Sequence, residues 1–188
     1  MPPWARRTAS PTPDRRNQES SSEAVSAWNG LTRWGQVSGS RATEQLGDWL
    51  LANEAASAER DVLDPELRPF PGFQHTVVSL NWGGKRDHAT WFSADPAAPA
   101  GIELIPMPAV AADYVAAGGK EQIGKVLDEA VPEGDYAVQF GDYLLMYRAL
   151  ASGSQATAAL ALARDLPAED IDTGNTRSYL LAWIMSHQ

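Results

Sequence analysis

Two carboxylates four residues apart, Glu19 and Glu23, stand in the stretch NQESSSEA at positions 17–24, with three serines between them. On a helix this spacing puts both side chains on one face, one turn above the other. Carboxyl groups cleave glycosidic bonds in pairs, one protonating the leaving oxygen while the other acts on the anomeric carbon or on a water. Two glutamates on the same face do not straddle a sugar ring. One of them can be a base with the other as its neighbour, and the acid must then come from a different element. The structural alternative is a helix cap. Ser20 and Glu23 match the S-x-x-E capping box, in which both side chains satisfy exposed backbone N–H groups. Acidic residues near a helix N-terminus also complement its dipole, by about 0.3–1 kcal/mol.

The elements that would carry these residues are mostly helical. Residues 1–16, with four prolines and four arginines, read as an irregular leader. A helix is expected from near Ser20, with Ala24, Ala27, Trp28 and Leu31 at helical spacing and Val25 and Trp34 broadening the apolar face. Gly35 and the VSGS segment end it, and a second helix is expected from about Arg41 to Arg60, with Leu46, Trp49, Leu50 and Asn53 along one side. Joined by a short turn, the two make an antiparallel helical hairpin. In the middle section prolines 65, 69 and 71 break helices, and HTVVSLNW at 75–82 reads as a strand before a Gly83-Gly84 turn. Helices are expected again over 109–130, interrupted at Gly118-Gly119, over 136–151, near 154–164, and through TRSYLLAWIMSHQ at the end. The fold class is mainly α with a few short strands in loops.

Composition narrows the function classes. The chain has 188 residues, 44% hydrophobic and 21% charged, as globular domains do. A net charge of -9, with scattered basic residues, argues against nucleic acid as a partner, because phosphate binding needs a concentrated basic face. Without cysteine, disulfides and thiolate metal sites are excluded. His75, His88 and His187 are too few and too dispersed to suggest zinc, so no metal and no cofactor is expected. No run of apolar residues is long enough to span a membrane, and the N-terminus lacks the apolar core of a signal peptide. Seven tryptophans are many for this length. Core packing is the ordinary use of such rings, but sugar-binding clefts use exposed indole faces as stacking platforms.

Four blocks together resemble glycoside hydrolase family 81, the endo-β-1,3-glucanases. They are NQESSSEAVSAWNGLTRWG at 17–35, VVSLNWGGKRDHATWF at 77–92, GIELIPMPAVAADYV at 101–115 and GNTRSYLLAWIMSH at 174–187. The resemblance implies an inverting hydrolase acting inside β-1,3-glucan chains, with an N-terminal β-sandwich and an (α/α)6 barrel. Residues 17–188 then look like the C-terminal part of that barrel, without the sandwich or the barrel's first part. By motif match Glu23 corresponds to the general base and Glu19 to the glutamate that supports it. The family's general acid belongs to an upstream block with no counterpart here, so the chain alone is expected to be inactive. Asp87, His88 and Trp91 of the second block would line the cleft, and Trp82 would stack on a glucosyl ring. The resemblance also implies an extracellular location.

The match departs from the family at its start. Trp4-Ala5 fits, but RRTASPTPDRR follows where the family has a tight glycine-containing turn before Asn17. Truncation, with a frame shift near the start, would explain such a leader; so would divergence in a short paralogue. A partial barrel would expose helix faces meant for missing neighbours and self-associate through them. Two further readings compete with the hydrolase: a β-glucan-binding module with no hydrolysis, and a plain helical structural domain.

Overall fold

The computed structural model describes residues 17–18, 20–64, 66, 71–82, 85–105, 107 and 119–188. Helices α1 (Ser21–Ser38) and α2 (Arg41–Ala58) form the antiparallel hairpin. Gly39 at φ 68° closes α1, the left-handed turn that glycine adopts without strain. Ser40 caps α2 by accepting from the Thr43 N–H. The helices approach closely because glycines face backbone: a Cβ on Gly35 would lie 2.3 Å from the Glu44 nitrogen, and one on Gly47 2.5 Å from that of Thr32. Thr32 Oγ1 donates to Asp48 at 3.0 Å across the same seam.

Helix α2 runs into a wide turn, Glu59–Leu63, whose buried Asp61 pairs with Arg60 at 2.9 Å and with the buried Arg86 at 3.2 Å. That ion pair fixes a small antiparallel sheet: β1 (Asn17–Gln18), β2 (Leu80–Trp82) and β3 (Lys85–Asp87), in the order β1-β2-β3. The strand expected over 75–82 is therefore confined to its last three residues. Thr76 before it is held from both sides by another helix, as described below.

A short turn of helix, α3 (Ala98–Gly101), precedes α4 (Gly119–Ala130), α5 (Gly141–Ala149), α6 (Gly153–Asp165) and α7 (Arg177–Met185). The first part of the helix expected over 109–130 lies outside the described residues. Helix α5 is buried almost throughout, from Gly141 to Tyr147, and packs against α6 and α7. On α6 the buried set Ala156, Ala159, Leu160 and Ala163 keeps helical spacing. Ile123, Val126, Leu144, Met146, Leu180 and Ile184 join them in one core. The mainly helical class is confirmed.

The tryptophans divide. Trp183 is in the core, but Trp34, Trp49 and Trp91 are 64%, 62% and 64% exposed. Leu46 on α2 is exposed as well. The apolar stripes expected on α1 and α2 are thus only partly buried: Val25 lies fully inside, whereas the hairpin's outer face keeps large apolar groups in solvent.

Candidate active site

The start of α1 is built differently from a capping box. Ser20 stands at φ 57°, a left-handed conformation uncommon outside glycine, and its hydroxyl donates to the Ile105 carbonyl at 3.2 Å instead of capping the helix. The buried carboxylate of Glu103 takes over the capping role. Its Oε1 accepts the Ser20 N–H at 3.2 Å, and its Oε2 accepts the N–H and the hydroxyl of Ser21, both at 2.8 Å. Ser22 donates to the Ile105 carbonyl as well. A negative group against the exposed N–H groups of a helix start is favourable both as a hydrogen-bond acceptor and through the dipole.

Glu23, relieved of capping, is exposed in the first turn of α1, and among the described residues its carboxylate has no partner. Its backbone N–H donates to the Ser20 carbonyl at 3.1 Å. Glu19 lies outside the described residues.

Around this helix start the four resembling blocks meet. Asn17 and Gln18 pair with Trp82 and Asn81, joining the first block to the second. Glu103 and Ile105 join it to the third. The Tyr179 hydroxyl donates to the Met107 carbonyl at 2.6 Å and ties in the fourth.

Of the second-block candidates, Asp87 ends β3 opposite Leu80, half-buried, with its carboxylate 2.7 Å from Lys85 Nζ. Trp91 is exposed and meets Phe92 edge-to-face. Trp82 occupies the end of β2. His88 is turned inward. Its Nδ1 donates to the Val77 carbonyl at 2.8 Å, its Nε2 lies 3.7 Å from Glu129, and its ring stacks on His75 with centroids 4.1 Å apart. Burial, partly offset by the bond to Val77, holds its pKa below the ordinary histidine value. The expectation that the histidines are dispersed thus fails for His75 and His88, which a chain reversal through β2 and β3 brings face to face.

Two buried carboxyl groups escape a reading of spacing. Glu103 is a lone acid inside the apolar run GIELIPMP, and an isolated acid in such a run is itself a sign of a partnered, buried group. Asp142 is buried at the start of α5, accepting from Asn175 Nδ2 at 2.8 Å and from the Asp172 N–H at 3.3 Å, while among the described residues its Oδ1 has no partner. Burial pushes its pKa up, against the hydrogen bonds that pull it down.

Fold and site define a mainly helical domain of antiparallel helix pairs whose acidic helix start gathers four separate stretches of chain. Residues 4–184 match the family described as Glycosyl hydrolase family 81 C-terminal domain, and the chain belongs to that family. A glucan endo-1,3-beta-D-glucosidase of Acetivibrio thermocellus is 34% identical over 97 residues, 51% of this chain and 12% of the relative. A glucan endo-1,3-beta-D-glucosidase of Thermobifida fusca is 32% identical over 94 residues, 50% of this chain and 12% of the relative. A solved glycoside hydrolase family 81 structure from Clostridium thermocellum superposes with a TM-score of 0.78 at 27% identity, covering 92% of this chain and 24% of its own. The chain thus spans a small part of the length of these relatives.

Proposed function

We propose that this chain is part of the catalytic domain of an endo-β-1,3-glucanase that hydrolyses internal bonds of laminarin- or curdlan-type glucan with inversion, outside the cell. Glu23 is the general base that activates water, and Glu19 supports it. The observation that carries this reading is the pair of facts at α1: an exposed Glu23 carboxylate on a helix start fixed by Glu103. A base must be open to water and carried on a fixed element; the exposed carboxylate meets the first need, and the helix start that Glu103 caps meets the second. In an inverting enzyme acid and base stand roughly 6.5–9.5 Å apart, so the acid belongs to an element other than the first turn of α1. An acid upstream of Asn17 fits that separation, and on this reading the 188-residue chain alone releases little sugar. Asp87, Trp82 and Trp91 are assigned to the glucan cleft.

The test compares laminarin hydrolysis by this chain with that by the gene extended upstream, and then introduces Glu23→Gln into the extended enzyme. Loss of the base should lower kcat by about 10²–10⁴-fold with KM largely kept. Near-wild-type turnover would remove Glu23 from the role.

The exposed indoles of Trp34, Trp49 and Trp91 favour a second reading, a β-glucan-binding module that stacks sugars without cleaving them. Retention on curdlan without reducing-sugar release from either form would favour it.

A further inference from the structure

His75, His88 and Glu129 place three ligand atoms within 4.8 Å of one another, on two separate pieces of chain. Helix α4 holds the first piece firmly. Gln122 donates to the Thr76 carbonyl at 2.9 Å and to the Leu63 carbonyl at 2.7 Å. Two turns later Glu129 accepts the Thr76 N–H at 2.8 Å and the Thr76 hydroxyl, both on Oε2. Its other oxygen, Oε1, is left to the histidines: His75 Nδ1 at 2.6 Å and His88 Nε2 at 3.7 Å.

The tautomers follow from the partners. His88 donates its Nδ1–H to the Val77 carbonyl, so its Nε2 carries a lone pair toward Glu129. A ring N–H that donates to a backbone carbonyl, leaving the other nitrogen free for an ion, is the outer arrangement that orients histidine ligands on metals. Each carboxylate oxygen has two lone pairs, so Oε1 can hold an ion while Oε2 stays on Thr76.

We propose that His75 Nδ1, His88 Nε2 and Glu129 Oε1 bind one divalent transition-metal ion of the Zn²⁺ type, which pins the segment leading through β2 and β3 to helix α4. Two ligand atoms on tetrahedral zinc, each at about 2.0–2.1 Å from the metal, lie about 3.3 Å apart. The spacings of 2.6 and 3.7 Å bracket that value. Nitrogen and carboxylate donors without thiolate suit Zn²⁺ rather than softer ions, and exclude the all-oxygen shell that Ca²⁺ prefers. The ion replaces the proton that His75 shares with Glu129. The rings, 5° from parallel, must splay so that the ion lies in both ring planes. His75, with 48% of its side chain exposed, has room to turn, and its open side admits water as the fourth ligand. The stack therefore belongs to the metal-free form.

The test uses the 188-residue chain without a histidine tag, stripped by a chelator and titrated with Zn²⁺ and with Co²⁺. One equivalent of Zn²⁺ should bind and raise the thermal midpoint, and Co²⁺ should give the visible absorption of a four-coordinate nitrogen–oxygen site. His75→Ala, whose half-exposed side chain makes it the variant least harmful to folding, should weaken Zn²⁺ binding at least about 10-fold, as should His88→Gln. His187→Gln should bind like the parent. Absence of stoichiometric binding overturns the proposal. So does an affinity that His75→Ala leaves unchanged in a chain shown to be folded by circular dichroism.

Discussion

Ser21 and Glu103 stand 82 residues apart in sequence and meet at the first turn of α1, where one carboxylate oxygen accepts both the backbone N–H and the hydroxyl of the serine. Glu103 is 1% exposed, so these bonds face no competition from water. Hydrogen bonds to a charged group contribute about 1.5–3 kcal/mol, and leaving buried donors unpaired costs a similar amount. Glu103→Ala should therefore lower stability by roughly 3 kcal/mol in urea unfolding. Glu103→Gln should cost less, because its amide oxygen still accepts, though its NH₂ now opposes a donor. Equal unfolding midpoints for the parent and the alanine variant would show that the contact does not hold the helix start.

Gly35 makes a second, independent claim on stability. A Cβ there would lie 2.3 Å from the nitrogen and 2.6 Å from the Cα of Glu44, and backbone has no rotamer by which to move away. Gly35→Ala should force α1 and α2 apart and cost about 1–3 kcal/mol despite the better helix propensity of alanine. Gly30 has open space around its missing side chain, so Gly30→Ala should stabilise by a few tenths to about 1 kcal/mol. Guanidinium unfolding of the two variants should move in opposite directions.

These two contacts also mark how far the sequence could be read. The hairpin, its turn at Gly39 and the later helices are set by local periodicity and local caps, and local signals are visible in sequence. The capping of α1 is hidden in the sequence because S-x-x-E is satisfied equally well on paper by Glu23, whereas the true acceptor arrives from a loop 82 residues away. No spacing rule carries that distance. The histidine cluster is hidden for the same reason: reversal at β2 and β3, and packing on α4, bring together residues that sequence separates. The indoles of Trp34 and Trp49 satisfy helical periodicity, yet periodicity names a face without saying what covers it. Glu23 is legible as a candidate, since its type and its place on the helix are both local properties.

The cluster at Glu129 gives the protein a defined sensitivity to acid in chelator-containing buffer. Burial holds the pKa of His88 below its ordinary 6.5, against the Val77 bond and the Glu129 charge that raise it. The unfolded chain then binds a proton near pH 6.5 that the folded chain refuses, so stability falls as pH drops through that window. For Glu129 burial acts upward, but the bonds from Thr76 and His75 outweigh it and leave the carboxyl below its ordinary 4.5. A depressed carboxyl contributes stability above the unfolded value and loses it as pH falls through the folded one. Thermal midpoints should therefore decline in two stages. His88→Asn should flatten the stage near pH 6, and Glu129→Gln the stage below about pH 4.5. A decline that neither variant alters would place the acid sensitivity elsewhere.

Asp142 should behave in the opposite sense. Its Oδ1 is buried with no partner among the described residues, and burial raises its pKa above the ordinary 3.8, with the nearby Asp172 charge adding to the shift and the Asn175, Tyr143 and Asp172 hydrogen bonds opposing it. A raised carboxyl binds its proton more readily in the folded chain, so its contribution is most favourable below the unfolded value and is lost as pH rises through the folded one. At neutral pH the ionised group is a cost that Asp142→Asn removes, while the amide oxygen can still accept from Asn175 Nδ2 and the Asp172 N–H. The new amide hydrogens, placed where Oδ1 has no partner, work against that gain, so the variant's absolute stability is a poor readout. The pH trend is a better one. The stability of the parent relative to Asp142→Asn should improve as pH is lowered through the acid range toward the ordinary 3.8, measured by urea unfolding of both at each pH. A difference that stays flat over that range would mean that Asp142 titrates alike in the folded and unfolded chains, and that Asn175 and its neighbours already offset its burial.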